Sequence, residues 1–229
     1  MNFIEGQTLL VDKPYGWTSF DVVNKIRWHL KRKLQVKKIK VGHAGTLDPL
    51  ATGLLVICTG KHTKKIETLS AEQKGYSGTF LLGKTTPSYD LETEFNEDFP
   101  VDHINEALLE STRQLFIGKI MQVPPLFSAK QIEGKRAYEY ARKGIEIELK
   151  ANTIEIEHFE INYNAFPEIT FNVICSKGTY IRSLAQDFGK ALQSGATLTA
   201  LRRTSSGKLH IDQAKKLEEW LQIIDEFSE

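Results

Sequence analysis

The chain has 229 residues, 41% of them hydrophobic and 26% charged, with a formal net charge of +1. That length can bury a real core as one large domain, and the composition is that of a globular protein. No apolar run is long enough to span a membrane, no signal-peptide pattern opens the chain, and Cys58 and Cys175 lack zinc spacing, so they read as reduced core thiols of a cytoplasmic protein.

The net charge conceals a dipole. From Val22 to Ile66 there are eleven Lys and Arg residues, and Asp48 is the only acid. From Asp90 to Glu110 there are eight acids and no Lys or Arg. A basic stretch of this kind draws a polyanion by displacing its counterions. A solvated, lysine-rich helix face would have the same composition.

In chain order, Thr8 to Val11 reads as a strand and DKPYGWTS as a turn. Phe20, Val23, Ile26 and Leu30 recur at helical spacing, which predicts a helix from Ser19 to about Leu34. Thr18 and Asp21 have the spacing of a capping box at its start. Strands are expected at Leu54 to Cys58 and Tyr76 to Leu82, then a polar loop from Pro87 to Pro100 and a helix capped by Asp102 that runs to Leu115. Residues 119 to 144 are a basic segment with Pro124-Pro125 and a short helix through Ala137 and Tyr138. Ile154 to Tyr163 and Ile169 to Ser176 alternate like sheet strands, and a helix begins near Tyr180. After a strand near 197 to 205, a last helix begins at Asp212 and buries Leu217, Leu221 and Ile224. Strands and helices mix without regular βαβ alternation, so the expected class is α+β with a largely antiparallel mixed sheet flanked by helices.

Several chemistries fail on context. GTFLLGKT at 78 to 85 matches the phosphate-loop pattern G-x-x-x-x-G-K-[ST] letter for letter. Its spacer TFLL is itself an apolar strand, and Pro87 follows at once, so no flexible loop leads into a helix. A zinc deaminase needs H-x-E and P-C-x-x-C, and neither occurs. No G-x-S-x-G elbow marks a hydrolase, and no second acid stands near Asp48 for glycoside cleavage.

Two clusters remain. VGHAGTLDPLATGLL at 41 to 55 sets Asp48 among small residues, either as a turn residue or as a reactive carboxylate close to a flat ligand. CSKGTYIRSLAQDFG at 175 to 189 delivers Tyr180 and Arg182 where a helix begins; the Arg could hold a carboxylate ionised, or lie on the surface.

Six blocks in order resemble the TruB family of pseudouridine synthases over nearly the whole chain. They are KPYGWTS at 13 to 19, GHAGTLDPLATGLL at 42 to 55, KGYSGTFLLGKTT at 74 to 86, PPLFSAKQIEGKRAYEYARKG at 124 to 144, the cluster at 175 to 189, and LRRTSSG at 201 to 207. The resemblance implies the pseudouridine synthase fold over residues 1 to 211, with the family's basic insertion at about 119 to 144. Residues 212 to 229 would be a short helical extension, with no full C-terminal PUA domain. It implies isomerisation of the uridine at position 55, in the T-loop of tRNA, by a monomer without metal, nucleotide or redox cofactor. Asp48 would be the catalytic carboxylate, and His43 would support the extruded nucleotide. Tyr76 would stack on the base, Tyr180 would lie on its other side and take the C5 proton, Arg182 would pair with Asp48, and Leu201 would line the pocket. Small residues around Asp48 would let the backbone approach the nucleotide. One carboxylate is compatible with three first steps: attack at C6, attack at C1′, or removal of the C2′ proton on a glycal route. Departures from the family pattern are Ser88, Thr93 and Phe127, where Thr, Gly and Tyr are usual. Two other readings share these residues, a non-catalytic RNA-binding or RNA-folding protein and the same isomerisation on a T-loop-like site in another RNA.

Overall fold

The computed structural model describes residues 1–128, 131–132, 135–136, 140, 145 and 149–227. In chain order its elements begin with β1 (Thr8–Lys13), α1 (Ser19–Lys33), β2 (Val41–Ala44), β3 (Thr52–Thr59), α2 (Ile66–Ala71) and β4 (Lys74–Leu82). There follow β5 (Lys84–Thr85), β6 (Glu97–Asp98), α3 (Glu106–Leu115), β7 (Gly118–Gln122), β8 (Gln131–Ile132) and β9 (Lys135–Arg136). The chain ends with β10 (Asn152–Ala165), β11 (Glu168–Cys175), α4 (Ile181–Ala191), β12 (Ala196–Ser206), β13 (Leu209–His210), β14 (Lys215–Lys216) and α5 (Leu217–Glu226). They divide into two compact units, residues 1–76 with 201–229, and residues 77–200.

In the first unit β1 pairs antiparallel with β3, from Thr8 opposite Cys58 to Lys13 opposite Gly53, and parallel with β14 through Val11 and Lys215. β2 lies antiparallel to the same strand β3, from Val41 opposite Thr59 to Ala44 opposite Val56, and Arg202 and Arg203 of β12 run parallel to Thr52 and Gly53. The expected capping box starts α1: Asp21 N–H donates to Thr18 Oγ1, and Thr18 N–H donates to Asp21 Oδ2, both at 3.0 Å. Val22, Val23, Ile26 and Leu30 form the buried stripe of α1, whereas Phe20, expected in it, is 61% exposed. The four buried residues join Leu9, Val11, Leu55 and Ile57 of the sheet and Leu217, Trp220 and Ile224 of α5 in one core cluster. Burying each such aliphatic chain stabilises the fold by about 1.5–3 kcal/mol.

The second unit is built on the long antiparallel pair β10–β11, with Ile161 opposite Phe171, and on β7 beside β10. Phe80, Phe116, Phe159, Phe171 and Phe188 meet in an aromatic core, with Phe80 stacked on Phe171 at a centroid distance of 4.3 Å. The TFLL run of the phosphate-loop lookalike is strand, and Phe80 within it is fully buried. The fold class is α+β, as expected, and both cysteines are buried thiols.

Two helix starts differ from expectation. α3 is capped by Asn105, whose side chain accepts from Leu108 N–H at 2.9 Å; Asp102 lies in the preceding turn, closed by Ile104 N–H on Val101 O at 3.0 Å. α5 begins at Leu217 rather than Asp212, because Ile211–Gln213 is a single 3-10 turn and Lys215–Lys216 are drawn into pairing with β1. Trp220 takes the buried place expected of Leu221, which is only partly covered, and its indole N–H donates to Leu10 O at 2.8 Å. β2 and β7 had no clear signal in the sequence. The helix expected through Ala137 and Tyr138 lies outside the described residues.

Candidate active site

His43, Asp48, Tyr76 and Leu201 fall in the first unit; Tyr180 and Arg182 fall in the second. Each group has its own supports.

The Asp48 loop is held from three sides. Lys13, fully buried at the end of β1, donates to the carbonyls of Pro14 (3.0 Å), Trp17 (2.5 Å) and Pro49 (3.2 Å). Ser19, the first residue of α1, donates to Leu47 O at 3.1 Å and accepts from Leu47 N–H at 2.8 Å. Arg203 of β12, 1% exposed, donates from Nε to Leu54 O (2.6 Å) and from its two terminal nitrogens to Gly45 O (3.1 Å) and Thr46 O (3.5 Å). Inside the loop Ala51 N–H donates to Asp48 O at 3.1 Å. Gly53 meets a packing demand as well. Its φ is +98°, and a Cβ there would stand 2.3 Å from Arg203 O, so the strand pairing itself requires glycine.

Charge follows from this burial. Lys13 is pulled down to about 8, first by loss of water around its ammonium, while the charge of Asp48 pulls the other way. The half-buried Asp48 carboxylate and this ammonium therefore influence one another. His43 on β2 is held below its ordinary value, chiefly by burial and then by the positive charge of Arg203. A neutral imidazole is the form this setting favours. Tyr76 and Leu201 both pack against the core cluster that contains Leu47 and Ala51, the apolar residues flanking Asp48.

In the second unit Tyr180 is the N-cap of α4, and its main chain is clamped by the buried Gln122. Tyr180 N–H donates to Gln122 Oε1 at 2.8 Å, and Gln122 Nε2 donates to Tyr180 O at 3.1 Å. The buried Arg182 faces the buried Asp90, Nε to Oδ2 at 3.6 Å, and donates to Ser88 O at 3.4 Å. Asp90 Oδ1 also accepts from Glu92 N–H at 3.0 Å, so the pair is backed by a further hydrogen bond. The Ser88 and Thr93 side chains, which depart from the family pattern, are hydrogen-bonded to one another at 2.8 Å.

Lys13, Ser19, Arg203, Asp90 and Gln122 were not singled out from the sequence. Lys13 and Ser19 stood in the KPYGWTS block and Arg203 in LRRTSSG, but letters alone do not say that a lysine or arginine will be buried against carbonyls. Asp90 was hidden in the acidic run. Among the described residues no group of three His, Cys, Asp or Glu could hold a metal ion. A carboxylate on a fixed backbone beside an ammonium suits nucleophilic or general-base chemistry.

Residues 31–181 match the family model described as TruB family pseudouridylate synthase (N terminal domain). A tRNA pseudouridine synthase B from Phocaeicola vulgatus is 56% identical over 224 residues, covering 96% of this chain and 95% of the relative. Another, from Flavobacterium johnsoniae, is 57% identical over 213 residues, 93% of each chain. Among solved structures, a chain of a Cbf5-Nop10-Gar1 complex is similar with a TM-score of 0.72 and 28% identity, covering 96% of this chain and 54% of that one. A chain of an H/ACA RNP bound to a substrate RNA containing 2′-deoxyuridine gives 0.68 and 26%, covering 96% and 53%. This chain thus spans about half the length of those structural relatives, but nearly the full length of the two sequence relatives. High identity along whole relatives, together with a shared fold, makes this chain a pseudouridine synthase and a member of the TruB family.

Proposed function

We propose that the protein isomerises the uridine at position 55, in the T-loop of tRNA, as a monomer in the cytoplasm, with Asp48 as the reacting carboxylate. The names of its relatives support tRNA as the substrate class. The observation that carries the reading is the fixed backbone of the Asp48 loop, pinned by Lys13, Ser19 and Arg203. Such a support holds an attacking group in position without cost at the moment of reaction.

The target nucleotide turns out of the RNA at a cost of a few kcal/mol. Stacking on Tyr76, with Tyr180 on the other face, returns about 1–3 kcal/mol. His43, uncharged, supports the displaced nucleotide, and Leu201 lines the pocket. In this reading Arg182 reaches Asp48 as its charge partner, while Asp90, which faces its Nε, orients the guanidinium. The N1–C1′ bond breaks, the uracil turns, and C5 bonds to C1′. The C5 proton leaves through Tyr180, and N1 gains one, so the reaction balances without an external reactant.

The test is a T-arm stem-loop carrying tritium at C5 of uridine, incubated without ATP. The wild type releases label to water. Asp48→Ala binds the RNA but loses at least about three orders of magnitude in turnover, as removal of a covalent nucleophile does elsewhere. Full-rate release by Asp48→Ala overturns the proposal. Firm binding by the wild type with no release replaces it with a non-catalytic RNA-binding role.

A further inference from the structure

Away from the Asp48 loop, the first unit carries a cavity of about 420 Å³ that the reaction does not use. Three segments build it: the N-terminal turn through Ile4, the loop after α1 (Val36, Lys38, Ile39, Lys40), and the 3-10 turn after β3 (Gly60, Lys61, Thr63, Lys64). Its lining combines an aliphatic floor with four lysines and holds no acid. The nearby Glu5 is already paired with Lys61 at 2.6 Å.

The cavity is made by fixed backbone. Gly60 N–H donates to Lys40 O at 2.9 Å, Lys61 N–H to Glu5 O at 3.2 Å, and Thr59 Oγ1 to Phe3 O at 2.9 Å. A Cβ at Gly60 would stand 2.0 Å from Ile4 O, so the segments meet at glycine only. Ile4, 48% exposed at this site, is an apolar side chain left in water beside ammonium groups.

We infer that this pocket binds one nucleotide of the substrate RNA remote from the reacting uridine, its phosphate on Lys38 and Lys40 and its ribose or base on Ile4, Val36 and Ile39. The inference rests on the proposed RNA substrate. Charge complementarity selects the ligand: a lysine rim without a carboxylate suits a polyanion, and an aliphatic floor suits a sugar or base face. Distance sets which nucleotide. The pocket follows the last residue of β3, whereas Asp48 precedes the first, and eight residues of strand span about 26 Å. Such a reach favours an RNA larger than a minimal hairpin.

The experiment compares full-length tRNA with a stem-loop cut to five base pairs. Lys38→Glu with Lys40→Glu is measured for affinity against salt and for tritium release, with thermal melting as the check on folding. Losing two phosphate contacts makes the slope of log affinity against log salt shallower by about 1.5, so the affinity lost between about 50 and 200 mM salt shrinks roughly tenfold. That change is expected with full-length tRNA, while stem-loop turnover stays at the wild-type rate. Ile39→Ser should weaken tRNA binding without altering the slope. A wild-type slope and affinity in the double variant with tRNA overturns the inference. So does an equal loss on the stem-loop, which would place the contact within the T-arm. A wild type that releases no label sinks the proposed reaction instead, and the slope comparison still decides the pocket.

Discussion

Lys13 shows how a single residue couples fold and chemistry here. Its ammonium is buried against three carbonyls beside Asp48, and burial brings its value down to about 8 from an ordinary 10.5. The unfolded chain keeps that proton up to about 10.5, so the folded state is penalised below 8 and gains stability as pH rises between the two values. Activity should run the other way, since protonated Lys13 adds a positive charge beside Asp48 that is lost as Lys13 gives up its proton. The expected kcat/KM profile between about pH 6 and 9 falls through one ionisation near 8, and Lys13→Arg, which stays charged, moves that fall out of the range. The same profile in both proteins would remove Lys13 from the mechanism. Arg203 is a structural counterpart. Arg203→Met leaves the carbonyls of Gly45, Thr46 and Leu54 without their donor, at about 1–3 kcal/mol for each buried one. A drop in Tm of about 5–15 °C is expected by calorimetry. A Tm within a degree or two of wild type would mean that these bonds do not hold the loop.

Elements with strong periodicity were legible in the sequence, and those defined by pairing were not. α1 announced its length, its capping box and most of its face: Val23, Ile26 and Leu30 of the expected stripe are buried together, but Val22 takes the place expected of Phe20, which is exposed. β11 alternates residue by residue, β10 does so on either side of a register shift between Ile156 and His158, and both were placed within two residues. β2 and β14 carry little alternation of their own; each is a strand because β3 or β1 offers it a hydrogen-bonding edge. The start of α3 is a testable case. Asn105→Ala should cost about 1 kcal/mol, read as a lower urea midpoint, while Asp102→Ala should leave the midpoint unchanged. The opposite ranking would restore Asp102 as the cap.

On the scale of the whole molecule, the basic stretch divides into two kinds of residue. Lys31, Lys37 and Lys38 are exposed. Lys33 instead donates to Asp225 O at 2.6 Å, and Arg32 and His29 approach the Asp225 carboxylate at 3.5 Å and 3.0 Å, so they tie α1 to α5. Replacing Lys31 and Lys37 by Gln should flatten the salt dependence of tRNA binding by about 1.5 in slope. Lys33→Gln should lower stability and leave that slope unchanged. If the two variants exchanged effects, the exposed lysines would not be the RNA contact.

The sequence by itself determined the class of fold, most of the regular elements, the family, and the residues expected to react. These properties depend on local periodicity and on short blocks whose letters stand side by side. Only the tertiary structure decided what holds the Asp48 loop, because its supports come from Lys13, Ser19 and Arg203, as far as 158 residues away in the chain. It likewise decided that Arg182 meets Asp90, and that Gln122 clamps Tyr180 from 58 residues away. The physical reason is the same in each case. A buried polar side chain must find a partner, and which partner it finds depends on the chain's path through space rather than on its neighbours in sequence.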